Sequence, residues 1–304
     1  MLSLDFSGAK YLFCLPDDPY YCSYSLRNCT KLSAIKVSDE LRMVGWDSDM
    51  FADTELYKKQ VAEGKQIFKL NDAVCIQCLD PELQTYSDPV VKLIGPNCWY
   101  DLGSTLTAID CPNCKYINCG AFCETDVHIA KLDNVEAIDT IAFSNARLSS
   151  ITCPKVKELG DKAFANTNLS DLYIPACSAI GYNAFYNAPL TSVYVANDVL
   201  HSIGNGYGMD NTLVVTNDET ELVEFAGGIE HIKNSTITAL QEDFTIHSNA
   251  LADLQLSKLD VLNKRTQISH CANLSSVSLD SIRYIGHYSI LQCDNLSILN
   301  IPTI

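Results

Sequence analysis

The 304-residue chain contains no apolar run approaching the roughly 18 residues that cross a bilayer as a helix, so no membrane span is expected. It is also short of positive charge: 21 Lys and Arg face 37 Asp and Glu, for a net charge of −16, and no basic run is present. Phosphate backbones are held by clustered Lys and Arg, so nucleic acid is not an expected partner, and an anionic membrane surface is disfavoured. A basic or neutral partner, or solubility alone, suits the acidity. The opening residues Met1-Leu-Ser-Leu-Asp-Phe6 lack both the charged n-region and the uninterrupted apolar stretch of a secretory leader. No signal peptide is therefore read in this chain; an intracellular or particle-associated protein is one expectation, and a leader preceding this numbering is the other. Gly204-Asn-Gly-Tyr-Gly208 lacks the lysine and following helix of a phosphate loop and reads as an exit from regular structure. The six histidines are scattered, and none pairs in sequence with a serine or cysteine elbow.

What the chain has is a repeat. Phe122, Phe143, Phe164 and Phe185 stand 21 residues apart, each five residues after Ile117, Ile138, Leu159 or Ile180. The same period runs through Leu106, Val127, Leu148, Leu169 and Leu190, through Ile109, Ala130, Ile151, Leu172 and Val193, and through Cys111, Leu132, Cys153, Ile174 and Val195. A period of roughly 20–29 residues with an L-x-x-L-x-L core marks a leucine-rich-repeat solenoid, in which one coil cannot bury its apolar face without its neighbours. Within a coil, Leu169-Ser-Asp-Leu172-Tyr-Ile174 predicts a strand with Leu172 and Ile174 inward and Tyr173 outward. Pro175 cannot donate to a sheet ladder and should end it. Gly181 follows Ile180 where the chain must turn back, and the phenylalanines should stack as an inward aromatic spine.

This pattern, approximately IG-x-x-AF-x-N-x-x-L-x-x-L-x-IP, resembles the BspA-like subgroup of leucine-rich repeats. It is carried by Leu159-Gly160, Ala163-Phe164, Leu169, Leu172 and Ile174-Pro175, and again by Ile180-Gly181, Ala184-Phe185, Leu190, Val193 and Val195. A longer form with a cysteine three residues before the first leucine appears at Cys29, Cys271 and Cys293. The resemblance implies an α/β leucine-rich-repeat solenoid, right-handed, with a parallel β-strand face, few or short helices, and β-hairpin insertions. It also implies a surface protein that adheres to host proteins or other cells, hence a cell-surface or extracellular location.

The organisation expected is a single solenoid over residues 1–304. Degenerate repeats occupy 1–56, a hairpin insertion 57–90, regular repeats 91–204, an irregular insertion 205–250, and further repeats 251–304. Asn71-Asp72 between Gln66-Ile-Phe-Lys-Leu70 and Ala73-Val-Cys-Ile-Gln77 is the turn chemistry of the first hairpin. Asn217-Asp218, between Leu213-Val-Val-Thr216 and Leu222-Val-Glu-Phe225, marks a second. No polar capping segment follows Pro302, which leaves a fragment or end-to-end self-association as the readings there.

Fourteen cysteines invite a disulfide or zinc reading, and Cys111-x-x-Cys114-x4-Cys119-x3-Cys123 with Cys75-x-x-Cys78 is the sharpest candidate. Yet Cys111 and Cys153 share one apolar ladder, and Cys114 and Cys177 share another with Val156. Registry therefore explains them as buried thiols, and no metal site is expected. Repeat surfaces are broad and shallow, so no enzyme activity, catalytic residue or cofactor is expected either. The expected function is a non-catalytic protein-binding module, with a structural or assembly component of a virus particle or surface array as the alternative. Its partner is a protein, of a host or a neighbouring subunit. The outward strand positions Asp110, Lys131, Thr152, Tyr173 and Tyr194, with Asp171 two residues before Tyr173, form the candidate binding row.

Overall fold

The structure, a computed structural model, describes residues 2–12, 26, 28–45, 50–100, 105–190, 192–195, 213–216, 221–225, 230–240, 244–263 and 265–302. They fall into two compact units, Met1–Leu169 with Ala179–Tyr186, and Ser170–Ser178 with Asn187–Ile304. Both are built of parallel β coils, as the repeat predicts, and one helix, Glu55–Ala62, is present among the described residues.

In the first unit each regular coil contributes two short strands. Ala108–Asp110, Ile129–Lys131 and Ser150–Thr152 pair in parallel, with Ile109, Ala130 and Ile151 directly opposite one another. Identical spacing thus becomes identical register. The next inward position, Cys111, Leu132 and Cys153, is at most 1% exposed. Pro112 and Pro154 stand two residues beyond their strands, where a missing N–H costs no ladder bond. The second strands, Leu93–Ile94, Tyr116–Ile117, Ala137–Ile138, Glu158–Leu159 and Ala179–Ile180, form a parallel ladder of their own.

Beyond the second strands lies the aromatic spine. Phe122, Phe143, Phe164 and Phe185 are at most 1% exposed. Their rings stack with centroids 5.0, 5.6 and 6.3 Å apart and planes within 14° of parallel. Trp99 extends the stack, 5.0 Å from Phe122. The turn between second strand and spine is tight. A Cβ on Gly160 would lie 2.3 Å from the Thr140 nitrogen, and one on Gly181 2.4 Å from that of Asp161, so glycine is required by backbone proximity. At the matching place two coils before Gly160, Asn118 spends its side chain on bonds to another segment. Its Nδ2 donates to the Arg42 carbonyl at 3.0 Å and its Oδ1 accepts from the Val44 amide at 3.1 Å. This ties the N-terminal pair Tyr11–Leu12 and Met43–Val44 to the second-strand ladder.

The first predicted hairpin is present: Ile67–Leu70 and Val74–Cys78 run antiparallel, and Asn71 and Asp72 both adopt positive φ, 48° and 56°. Val74–Cys78 also pairs in parallel with Leu93–Ile94, and Thr85–Ser87 with Ala108–Asp110. Coil pairing therefore continues where the side-chain period lapses, because backbone groups make the ladder. The helix Glu55–Ala62 carries no buried residue and begins at Thr54, whose Oγ1 accepts from the Tyr57 amide at 3.1 Å. Leu56 and Tyr57 pack partly against the core, and two adjacent residues leave no periodic signal.

In the second unit Asp171–Tyr173 pairs with Ser192–Val195, and that strand with Leu213–Thr216, in parallel. Leu213–Thr216 and Glu221–Phe225 are antiparallel, the second expected hairpin. Its turn candidate Asn217-Asp218, and the glycine-rich stretch 204–208, lie outside the described residues. Asp253–Leu256, Ser276–Ser278 and Ile298–Asn300 continue the parallel coils, over a core that includes Leu254, Leu262, Ile268, Leu274 and Val277.

Phe164 has a stacked ring on each side, so Phe164→Ala should cost about 3–5 kcal/mol, the penalty for emptying a large aromatic site. Equilibrium denaturant unfolding checks this. A midpoint equal to that of the parent would place Phe164 outside the spine.

Candidate functional site

Side chains that alternate inward along the strands leave their neighbours facing solvent, and that outward face is the candidate site. In the first unit Asp110, Lys131 and Thr152 are paired Cα to Cα across adjacent strands. Lys131 and Thr152 are exposed and Asp110 is half-buried. Two residues earlier on the same face Ile129 is exposed, between Ala108 and Ser150. The face is thus polar apart from Ala108 and Ile129.

In the second unit Tyr173 lies opposite Tyr194, with ring centroids 6.1 Å apart and planes tilted by 53°. The two rings are not equivalent. Tyr173 is 56% exposed, whereas Tyr194 is half-buried and leans on the core that contains Leu222, Leu240 and Leu254. Asp171 is exposed, and its carboxylate accepts from the Ser170 hydroxyl at 2.8 Å. The candidate positions therefore form two sets, Asp110, Lys131 and Thr152 in one unit and Asp171, Tyr173 and Tyr194 in the other.

Most of the described cysteines lie in core slots. Cys111, Cys114, Cys119 and Cys123 are each at most 7% exposed, and the Cys114 amide donates to the Cys111 carbonyl at 3.0 Å across a turn. Burial pushes the Cys75 thiol up to about 12 and the Cys123 thiol to about 11, and raises Cys98 and Cys114 well above the usual range. Nucleophiles and metal ligands are thiolates, so these groups are poor candidates for either role. Among the described residues no group of three or more His, Cys, Asp or Glu is placed to hold a metal ion.

One partly buried polar cluster escaped the sequence reading. Lys69 pairs with Asp88, the Tyr86 hydroxyl donates to the same carboxylate at 3.2 Å, and the Cys75 sulfur lies 3.5 Å from that hydroxyl. Desolvation opposes ionisation of Asp88, but the Lys69 ammonium and the Val90 amide together hold its pKa below the usual carboxylate value. Because the hairpin brings Lys69 and Cys75 to the strand carrying Tyr86, no local motif announces the cluster. The satisfied ion pair fastens hairpin to coil.

The BspA type leucine rich repeat region matches this chain in six copies, over residues 92–207 and 228–304. The chain belongs to the BspA-type leucine-rich-repeat family. Solved structures of related architecture include a leucine-rich repeat protein from Bacteroides ovatus. It is 18% identical with a TM-score of 0.37, and the match covers 76% of this chain and 66% of that one. A leucine rich cell surface protein from Faecalibacterium prausnitzii is 13% identical with a TM-score of 0.30, covering 78% of this chain and 92% of that one. The pneumococcal vaccine antigen PcpA is 10% identical with a TM-score of 0.26, covering 78% and 79%. No curated protein matches the chain in sequence. BspA-type repeat proteins are typically non-catalytic, and typically serve protein interaction or act at surfaces.

The burial pattern sets an order of thiol reactivity. Among the described cysteines, the half-buried Cys29 and Cys293 should alkylate first, while Cys75, Cys98, Cys111 and Cys114 wait for unfolding. Timed iodoacetamide labelling with peptide mapping reads this order, and early modification of Cys111 or Cys114 in folded protein would contradict it.

Proposed function

We propose that this chain is a non-catalytic binding module that engages a protein partner through its exposed sheet face, in surface adhesion or in recognition of a host or other partner. The observation that carries the reading is Tyr173, a large aromatic side chain 56% exposed on a parallel sheet, with Tyr194 beside it. Tyrosine supplies contact area at small conformational cost and keeps a polar tip, which makes it a favoured interface anchor. Its backbone is paired with the neighbouring strand, which limits how much of the chain must be ordered on binding. Asp171 beside it and the net charge of −16 favour a basic or neutral partner surface.

A second reading, a structural or assembly component, draws on apolar side chains of the second unit. Tyr284, Tyr288, Ile298 and Ile301 are 45–74% exposed, and Ile298 lies on a strand paired on one side among the described residues. Exposed apolar surface of this kind suits contact between copies. Sedimentation velocity over a wide concentration range decides between the two. A species that grows with concentration, and returns to monomer with Ile298→Lys, supports assembly; a monomer throughout supports the binding module.

For the leading reading, a double Tyr173→Ala, Tyr194→Ala variant should lose at least about tenfold in affinity for a partner recovered with the parent chain. If the two rings only shield each other, thermal stability falls while affinity does not. Unchanged affinity in a folded variant rejects this face as the anchor.

A further inference from the structure

The turns that carry the aromatic spine make a second surface, separate from the sheet face. The residue after each spine ring reads Tyr100, Cys123, Ser144, Ala165 and Tyr186. The three middle residues are small and buried, whereas Tyr100 and Tyr186 are 38% and 50% exposed. A low floor therefore runs between two tyrosines. Neighbouring coils lie about 4.8 Å apart, so four steps give a trough of roughly 20 Å.

Two rails border it. On one side stand Asn97, Ile141, Lys162 and Asn183, and on the other Glu124, Asn145 and Asn166, and all seven have φ between 48° and 60°. Together with the floor they enclose a groove of about 680 Å³. The rails are fixed by backbone bonds from coil to coil: Ile141 N–H to the Asp161 carbonyl at 2.8 Å, Lys162 to Tyr182 at 2.9 Å, and Asn145 to Ala165 at 2.8 Å. The Asn166 Nδ2 donates to Asn145 Oδ1 at 2.8 Å, a side-chain ladder along the same direction. The Glu124 carboxylate, the Lys162 ammonium and the Asn183 amide make no side-chain hydrogen bond or ion pair among the described residues.

We propose that this groove binds a linear, extended, uncharged oligosaccharide of about four sugar rings, laid along the coils between Tyr100 and Tyr186. Pyranose rings present apolar C–H faces that stack on aromatic rings, and their hydroxyls both donate and accept. Amide and carboxylate groups match that pattern, since an amide offers both roles and a carboxylate accepts. A ring of an extended glycan advances by nearly the spacing between coils, so successive sugars meet successive rail residues in the same relation. Other polymers fit less well. A nucleic acid needs a cationic track, and this groove is lined by one lysine and one glutamate. A peptide strand needs a sheet edge or apolar side-chain pockets, and the floor of Cys123, Ser144 and Ala165 supplies neither.

Calorimetric titration of the full chain with cellotetraose, the β-1,4-linked tetramer of N-acetylglucosamine, and the curved α-1,4-linked maltotetraose tests this. At least one of the two straight tetrasaccharides should bind saturably, one per chain, and more tightly than maltotetraose. Tyr186→Ala should weaken that binding about tenfold, while Tyr186→Phe, which keeps the stacking face, should retain most of it. Tyr186 is exposed, so its loss should leave the thermal midpoint in place. Tyr173→Ala with Tyr194→Ala should leave saccharide binding intact, which separates this groove from the sheet-face reading. The proposal is overturned if neither straight tetrasaccharide binds saturably, if maltotetraose binds more tightly than both, or if Tyr186→Ala in a folded chain leaves affinity unchanged.

Discussion

Stacking of one coil on the next is the constraint from which the rest of this structure follows. A single coil holds too few apolar side chains to bury itself, so its rings and aliphatics are completed by those of its neighbours. Trp99, Phe122, Phe143, Phe164 and Phe185 make this visible as one run of parallel rings. Once coils must stack at strand spacing, backbone must approach backbone at the turns. Gly160 and Gly181 stand where a Cβ would collide with the preceding coil, and Asn145 and Asn166 where φ must be positive. Asparagine tolerates the left-handed region better than most residues. Ile141 has no such licence, yet it is held at φ 50° by its amide bond to Asp161.

The same constraint explains the cysteines. Cys114, Val135, Val156 and Cys177 occupy one repeated slot and are all fully buried. What the slot requires is a small apolar volume, which valine and cysteine both supply. Burial then raises the thiol pKa and removes the reactivity that a cysteine-rich composition at first suggests. Chemistry-bearing residues are thus turned into packing residues by their position.

Where the period held, the fold could be read directly. The spacing of 21 residues placed Ile109, Ala130 and Ile151 opposite one another, and the strands pair in that register. Asn71-Asp72 announced its hairpin because two consecutive positive φ values need such residues. Trp99 escaped the ladder because it precedes Phe122 by 23 residues rather than 21. The helix Glu55–Ala62 escaped because a helix with no buried residue leaves no apolar period. The Lys69, Asp88 and Tyr86 cluster, and the withdrawal of Tyr194 toward the core, depend on contacts between segments with no common repeat. For the outward row, sequence gave the register of each position but could not give its degree of exposure.

The division between inward and outward positions also shows where this fold is free to vary. Inward positions answer to volume, and turn positions to backbone geometry, so their residue types are narrowly set. The floor position after each spine ring answers to neither in the same way: it admits cysteine, serine and alanine in three coils and tyrosine in two. A tyrosine that is half exposed at such a place does not serve the core, because the ring before it already fills the coil. Its cost is apolar surface left in water, and that cost recurs at Tyr100, Tyr186 and, on the sheet, Tyr173. At Tyr173 the ring of Tyr194 covers part of that surface, and more than half of the side chain stays open to solvent all the same.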